Sequence, residues 1–316
     1  MGHAPQPQIA KLTAYLGPEA TFTEQAARAL GHAADALLPC RGVGEVLRAV
    51  ANGGAAHGVV PIENRLEGGV TATLDALADD VDLLIEAEVD VEIDLIVAGL
   101  PGTDLSSVTE VWSHPVPLAG CRRWLAGAVP DADTRPMSST ARAAADVGSS
   151  GRTDVVAIAN ALAVARYGLV PLARGVADTG GNRTRFVQVG TTIPARTGWD
   201  KTSMVVYIPD NHPGALFAML EIFAERDLGL TKIESRPTKH DLGEYRFFVD
   251  IEGHIGDERV ADALAAVKRT QRDVKLLGSY PRLGGSDGGR DRASDDASFA
   301  DAAAWVEAWR ARVDKV

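Results

Sequence analysis

"LLIEAEVDVEIDLIVAG", residues 83–99, alternates apolar Ile85, Ala87, Val89, Val91, Ile93 and Leu95 with acids. A repeat of two is the period of a pleated strand, so the stretch reads as one long strand with a core face and a wet, acidic face. A strand of that length is suited to leave one lobe of a protein and enter another.

Reading outward toward the N-terminus, "KLTAYLG" (11–17), "ADALLPC" (34–40) and "AAHGVVP" (55–61) are strand-like. "TFTEQAARAL" (21–30), the amphipathic "GEVLRAVANG" (44–53) and "VTATLDALAD" (70–79) are helix-like. Thr21 and Glu24 stand at capping-box spacing. Toward the C-terminus come three strand-then-helix units: "TEVWSHP" into "VPLAGCRRWLAG", "ADTRPMS" into "STARAAADV", and "TDVVAIA" into "NALAVARYG". They form a second lobe. "VPLARGVAD" (170–178) reads as the return strand, leading to "TRFVQVG" (184–190). Strands alternating with helices predict α/β architecture with largely parallel pairing, and two lobes joined by two crossings make a cleft suited to a ligand.

Residues 201–282 read strand, helix, strand, strand, helix, strand, a ferredoxin-like order. The first helix carries Pro213 near its first turn, Leu216, Phe217, Leu220 and Phe223 on one face, and Gly229 at its end. The second has Asp257 and Glu258 in its first turn and Lys268 and Arg269 in its last, which complements the helix dipole. "GGSDGGRDRASDDAS" (284–298) has linker composition. Beyond it Phe299, Ala302, Val306, Trp309 and Val313 share a helical face, expected to dock on its own protein or a sister subunit.

The chain has 316 residues, 46% hydrophobic and 24% charged, with a formal charge of -11. That is globular composition, long enough for two or three domains. The acidic balance argues against nucleic acid and anionic membranes as partners. No stretch approaches the roughly 20 apolar residues of a membrane helix, and "MGHAPQPQ" lacks a signal-peptide core, so a cytoplasmic location is expected. Cys40 and Cys121 lack metal-type spacing, and neither metal nor cofactor is expected.

Polar residues cluster where lobe strands give way to loops or helices: Thr21, Glu63, Asn64, Ser113, His114, Ser138, Ser139, Thr140 and Asn160. In parallel α/β sheets that edge faces the ligand crevice. Thr21, Ser139 and Asn160 equally suit helix caps. "DTGGNRTRFVQVG" (178–190) sets Thr184 between Arg183 and Arg185 after Gly180 and Gly181. In an extended segment Thr184 and Phe186 share a face and the arginines point away from the hydroxyl.

"YLGPEATFTEQAA", "GVVPIENRLEGGV", "WSHPVPLAGC", "ARYGL" and "GNRTRF" resemble the successive signatures of prephenate dehydratase, and residues 201–282, with "PGALF" and "ESRP", resemble its ACT regulatory domain. The ordered set covers nearly the whole chain. It implies a two-lobed catalytic unit over 9–195, similar to type II periplasmic binding proteins. The first lobe is then about 9–90 and 176–195, and the second about 91–175. An ACT domain over 201–282 and a linker with a C-terminal helix over 283–316 follow. The implied reaction turns prephenate into phenylpyruvate, water and carbon dioxide, with feedback by L-phenylalanine in a homodimer or homotetramer. No fused chorismate mutase is expected ahead of residue 11. Arg65 stands where the family often has serine, and Val116 and Gly120 where glutamines are common.

On this resemblance Thr184 meets the leaving hydroxyl and relays a proton from water or from an acid, for which Glu63 is the candidate, and Asn64 and Ser113 donate further hydrogen bonds. Arg185 holds the pyruvyl carboxylate, because a cation gripping the carboxylate lost as carbon dioxide would stabilise the ground state. Phe186, Thr21, Ser139, Thr140 and Asn160 complete the substrate set. Asn211, Pro213, Gly214, Ala215 and Leu216, with Glu234, Ser235 and Arg236, form the phenylalanine site. Arogenate as substrate, or a non-catalytic sensor of the same architecture, are the alternatives.

Overall fold

The computed structural model describes residues 12–208, 212–238, 244–284 and 292–312. In chain order the first lobe holds β1 (Thr13–Leu16), α1 (Phe22–Ala29), β2 (Leu37–Cys40), α2 (Val43–Ala51), β3 (His57–Asn64), β4 (Gly68–Gly69), α3 (Thr71–Asp79) and β5 (Leu84–Glu92). Then follow β6 (Ile96–Gly99), β7 (Glu110–Ser113), α4 (Pro115–Gly120), α5 (Arg122–Ala128), β8 (Asp133–Pro136), α6 (Thr140–Ser150), β9 (Val155–Ala159), α7 (Ala161–Arg166) and β10 (Val170–Arg174). The chain returns in β11 (Arg183–Gly190).

These strands make two sheets, ordered β2-β1-β3-β11-β5, with β4 beside β3, and β10-β6-β9-β7-β8. β1 is parallel to β2 and β3, and β7 to β8 and β9, while β11 runs antiparallel to β3. The chain crosses between sheets at residues 93–95 and 175–182. The single long strand expected over 83–99 is therefore two strands. Its break falls where the Ile93 N–H donates to the Asn182 carbonyl at 2.9 Å, tying the crossings together.

Local signals explain the helices. Thr21, Ser139 and Asn160 each accept a backbone N–H from the first turn of α1, α6 and α7, at 3.3, 3.0 and 2.7 Å. Gly151, at φ +66°, ends α6 in the left-handed conformation that suits glycine. The expected capping box at α1 is half formed. Glu24 accepts from the Ala20 N–H, the Tyr15 hydroxyl and Arg28, at 2.5, 3.1 and 2.5 Å, so its carboxylate is fully engaged elsewhere.

The remaining elements are β12 (Asp200–Tyr207), α8 (Ala215–Ala224), β13 (Leu230–Pro237), β14 (Tyr245–Glu252), α9 (Glu258–Thr270), β15 (Asp273–Pro281) and α10 (Arg292–Arg310). The sheet order β13-β14-β12-β15 is ferredoxin-like. Met204, Val206, Met219, Phe223, Val249 and Val267 form its core. Two compact units result: residues up to 81 with 89–190, and 82–88 with 191–316. Residues 82–88, read from sequence as part of the first lobe, thus group with the second unit.

The wet face expected of β5 holds at the exposed Asp90 and Glu92 and fails at Glu86 and Glu88, which are buried. Glu88 pairs with Lys201 Nζ at 2.9 Å and accepts the Leu283 N–H at 2.9 Å, and Glu86 accepts from the Thr192 hydroxyl at 2.7 Å. α10 packs on α9, with Phe299, Ala302 and Val306 beside Ala261 and Ala265. Trp309, expected on that face, is 53% exposed, and Val313 lies outside the described residues. Among the described residues no helix is long and apolar enough to cross a membrane.

Candidate active site

The register of β3 against β11 sets Asn64 opposite Thr184 and Glu63 opposite Arg185. Directly opposed residues are neighbours across the two strands, so each pair is within side-chain reach. In the first, Nδ2 of Asn64 donates to Oγ1 of the buried Thr184 at 2.8 Å. Oδ1 of Asn64 accepts the N–H groups of Leu66 and Glu67 at 2.9 and 3.1 Å. In the second, Nη2 of Arg185 lies 3.2 Å from Oε2 of Glu63. The threonine's hydrogen-bond partner is thus the asparagine, whereas the sequence reading offered water or Glu63 as its proton source. Arg183 sits at the surface, 3.7 Å from the Asp90 carboxylate.

The loop entering β11 is held by Arg65, whose guanidinium donates to the Gly181 carbonyl at 2.8 Å and whose N–H donates to the Arg183 carbonyl at 2.9 Å. Gly181 has φ +68°, and a Cβ there would lie 3.1 Å from Arg65 Nη1. Arg65, the position at which the resemblance leads one to expect serine, thus does structural work on the motif itself.

Beside the motif lies a cavity of about 570 Å³. Leu66, Glu67 and Asn182 wall it near β3 and β11, Ile93, Leu95, Ala177, Asp178 and Thr179 at the crossings, and Pro115, Val116, Pro117, Ala119 and Gly120 at α4. Thr184 and Asn64 adjoin it through Asn182 and Leu66 without lining it. Val116 and Gly120, where glutamines are common, leave the α4 wall without a side-chain donor. Asp178 accepts the Arg123 N–H at 3.0 and 3.1 Å, which fixes the second crossing to the start of α5.

The other expected residues serve the scaffold. Ser113 is fully buried and its hydroxyl donates to the Ile158 carbonyl at 2.7 Å, so that proton ties β7 to β9. Phe186 is 2% exposed and packs with Tyr15, Ala26, Ala27, Val59 and Val91, a core position. Thr21, Ser139 and Asn160 are the caps described above. Asn160 also donates to the Ala20 carbonyl at 3.0 Å, which joins the two lobes. Thr140 is buried in the first turn of α6. His114 caps α4, its Nδ1 accepting the Val116 N–H at 3.4 Å, and burial holds its pKa below the ordinary histidine value. Sequence reasoning gave Arg65 no structural role and did not single out Asn182, which lines the cavity.

In the second unit a pocket of about 390 Å³ is lined by Ile208, His212, Gly214, Ala215, Leu216, Phe217, Leu220, Glu244, Tyr245 and Phe247. Three expected residues, Gly214, Ala215 and Leu216, are among them. Gly214 caps α8 at φ +92°. Pro213 stands between the lining residues His212 and Gly214 without being one of them, and Asn211 lies outside the described residues. Glu234, Ser235 and Arg236 stand on β13, an edge strand, where Glu234 pairs with Lys232 at 3.1 Å and Arg236 at 3.4 Å.

A family model described as "Prephenate dehydratase" matches residues 13–193, and one described as "ACT domain" matches 202–269. Prephenate dehydratase of Mycobacterium tuberculosis (strain H37Rv) is 46% identical over 296 residues, covering 90% of this chain and 91% of its own. The crystal structure of prephenate dehydratase from Arthrobacter aurescens in complex with L-Phe is 42% identical with a TM-score of 0.86, over 94% of this chain and 98% of its own. A structure described as GqqA, a novel type of quorum quenching acylase, is 29% identical with a TM-score of 0.77, over 86% and 98%. The dehydratase match contains the strand pair that holds Thr184, the ACT match covers most of the ferredoxin-like sheet, and a relative aligns along 90% of the chain. The chain therefore belongs to the prephenate dehydratase family, as an enzyme carrying an ACT domain.

Proposed function

We propose that the chain converts prephenate to phenylpyruvate, water and carbon dioxide, with the Thr184 hydroxyl at the leaving ring hydroxyl. The observation that carries this reading is the Asn64–Thr184 hydrogen bond of 2.8 Å. Asn64 donates to the threonine oxygen, so the threonine's own hydrogen is directed onward. The bond to the departing carboxylate breaks, its electron pair enters the ring, and the ring hydroxyl leaves with one added proton as water. Solvent supplies that proton through the threonine. A threonine hydroxyl is too weak an acid to be its source, and positioned transfer of this kind is worth ~10²–10⁴-fold.

Arg185 is the group for the pyruvyl carboxylate. It stays charged and forms a planar fork suited to carboxylate, and Glu63 orients it. The apolar α4 wall suits the ring, from which carbon dioxide departs without a cation to restrain it.

Regulation is assigned to the pocket beside α8, where L-phenylalanine would hold its carboxylate near Gly214 and Ala215 and its ring near Leu216 and Tyr245. The complex of the Arthrobacter relative with L-Phe supports this. The same reading takes 9–195 as catalytic unit, 201–282 as regulatory unit, a cytoplasmic location, and a homodimer or homotetramer in which β13 of one copy completes the pocket of the next.

Turnover of prephenate and of arogenate by the purified chain, with and without L-phenylalanine, tests these assignments. Phenylpyruvate formation suppressed by phenylalanine is expected. Faster turnover of arogenate would move the substrate assignment, and turnover indifferent to phenylalanine would remove the regulatory one.

A further inference from the structure

We infer that Asn182 contacts the substrate, its side-chain oxygen accepting the hydrogen of the same ring hydroxyl that Thr184 approaches. The inference rests on the proposed role of Thr184 and adds a second group to that site.

Oδ1 of Asn182 is shielded from solvent and has no hydrogen-bond partner among the described residues. A buried acceptor left without a donor is costly, and each such group calls for an explanation. Asn182 also lines the cavity between the crossings. Its backbone is held on both sides. The Asn182 carbonyl accepts the Ile93 N–H at 2.9 Å, and the preceding Gly181 carbonyl is gripped by Arg65. The residue stands two positions before Thr184, just ahead of the start of β11 at Arg183. A fixed acceptor that lines the cavity therefore stands two residues from a directed hydroxyl.

The chemistry of the ligand decides what meets it. Both carboxylates of prephenate are ionised at neutral pH, and they and the ketone only accept. The ring hydroxyl is the one donor the substrate carries. When its hydrogen points to Asn182, a lone pair on its oxygen is turned toward Thr184, the geometry in which the oxygen can take a proton and leave. Keto phenylpyruvate has no such donor, so the product forfeits this hydrogen bond. Asn182 thus orients the leaving group and separates substrate from product.

The test uses Asn182→Leu in the full chain, an apolar side chain of similar shape. Because it removes a buried acceptor instead of a packed group, the thermal midpoint should hold or rise. kcat/KM for prephenate should fall about tenfold or more, the worth of one hydrogen bond, while phenylpyruvate binding measured by titration stays as in the parent. A lowered midpoint with losses for both ligands would make Asn182 structural and overturn the inference. Undiminished kcat/KM would do the same. Thr184→Val, measured alongside, separates the two readings. If it turns over normally, both fall; if it is inactive and Asn182→Leu is active, only the role of Asn182 falls.

Discussion

The amide of Asn64 stands between a turn and a hydroxyl: Oδ1 receives the Leu66 and Glu67 N–H groups, and Nδ2 donates to Thr184 at 2.8 Å. Two backbone donors fix which end of the amide is oxygen, and that fixes which way the threonine hydrogen points. Asn64→Asp keeps the acceptor for the turn and loses the donor. The new carboxylate would take the threonine's hydrogen and reverse its direction. The expected result is a kcat nearly as low as that of Thr184→Val, both ~10²–10⁴-fold down, with thermal midpoints near the parent's. Steady-state turnover and a melting curve on each variant check it.

The buried pair of Lys201 and Glu88 predicts a stability result that turnover would not reveal. Their side chains are 8% and 1% exposed, 2.9 Å apart. Removing one partner leaves an uncompensated buried charge, so Lys201→Met should cost about 3–5 kcal/mol in a denaturant titration. Adding Glu88→Leu should recover part of this. Recovery stays incomplete because the Leu283 N–H still loses its acceptor.

Gly181→Ala tests the loop that carries Asn182. At φ +68° a Cβ costs about 1–2 kcal/mol, and here it also crowds Arg65 Nη1. Denaturant titration should show a loss of that size. Turnover should fall further than Arg65→Ala makes it fall, because the backbone of the motif itself is displaced.

Glu24 predicts a pH dependence. Burial pushes its pKa up, but the Ala20 N–H, Arg28 and the Tyr15 hydroxyl together hold it below the ordinary carboxylate value. A carboxyl more acidic in the fold than in the unfolded chain stabilises the fold at neutral pH, and that contribution is lost as pH falls through its folded value. Glu24→Gln should therefore be less stable than the parent at neutral pH, and the gap should close on acidification below the ordinary range. Urea midpoints at the two pH values measure it.

Much of the fold was legible because its signals are local. The strand-like run 55–61, the caps at Thr21, Ser139 and Asn160, and the order of elements in 201–282 each depend on a few neighbouring residues. What the sequence hid depends on distant ones. Glu86 and Glu88 look like a wet face until Thr192, Lys201 and Leu283 fold over them. The Glu63–Arg185 and Asn64–Thr184 pairings arise from strand register across 120 residues of chain, which no spacing rule within one segment reveals. Ser113 reads as a donor at a strand end, and only the position of Ile158 shows where its proton goes.

The seven residues 82–88 carry a lesson about portability. They group with a partner segment that begins more than a hundred positions later in the gene. Gly278, at φ +147°, is bare of side chain where the Ile85 backbone passes, so the fit is made against the main chain as well as the acids. A fragment starting at residue 191 would carry the whole ferredoxin-like sheet, yet Lys201, Thr192 and the Leu283 amide would lose the carboxylates they answer to. The ferredoxin-like unit is therefore not portable by a single cut at residue 191: a graft that kept its carboxylate partners would have to bring residues 82–88 along.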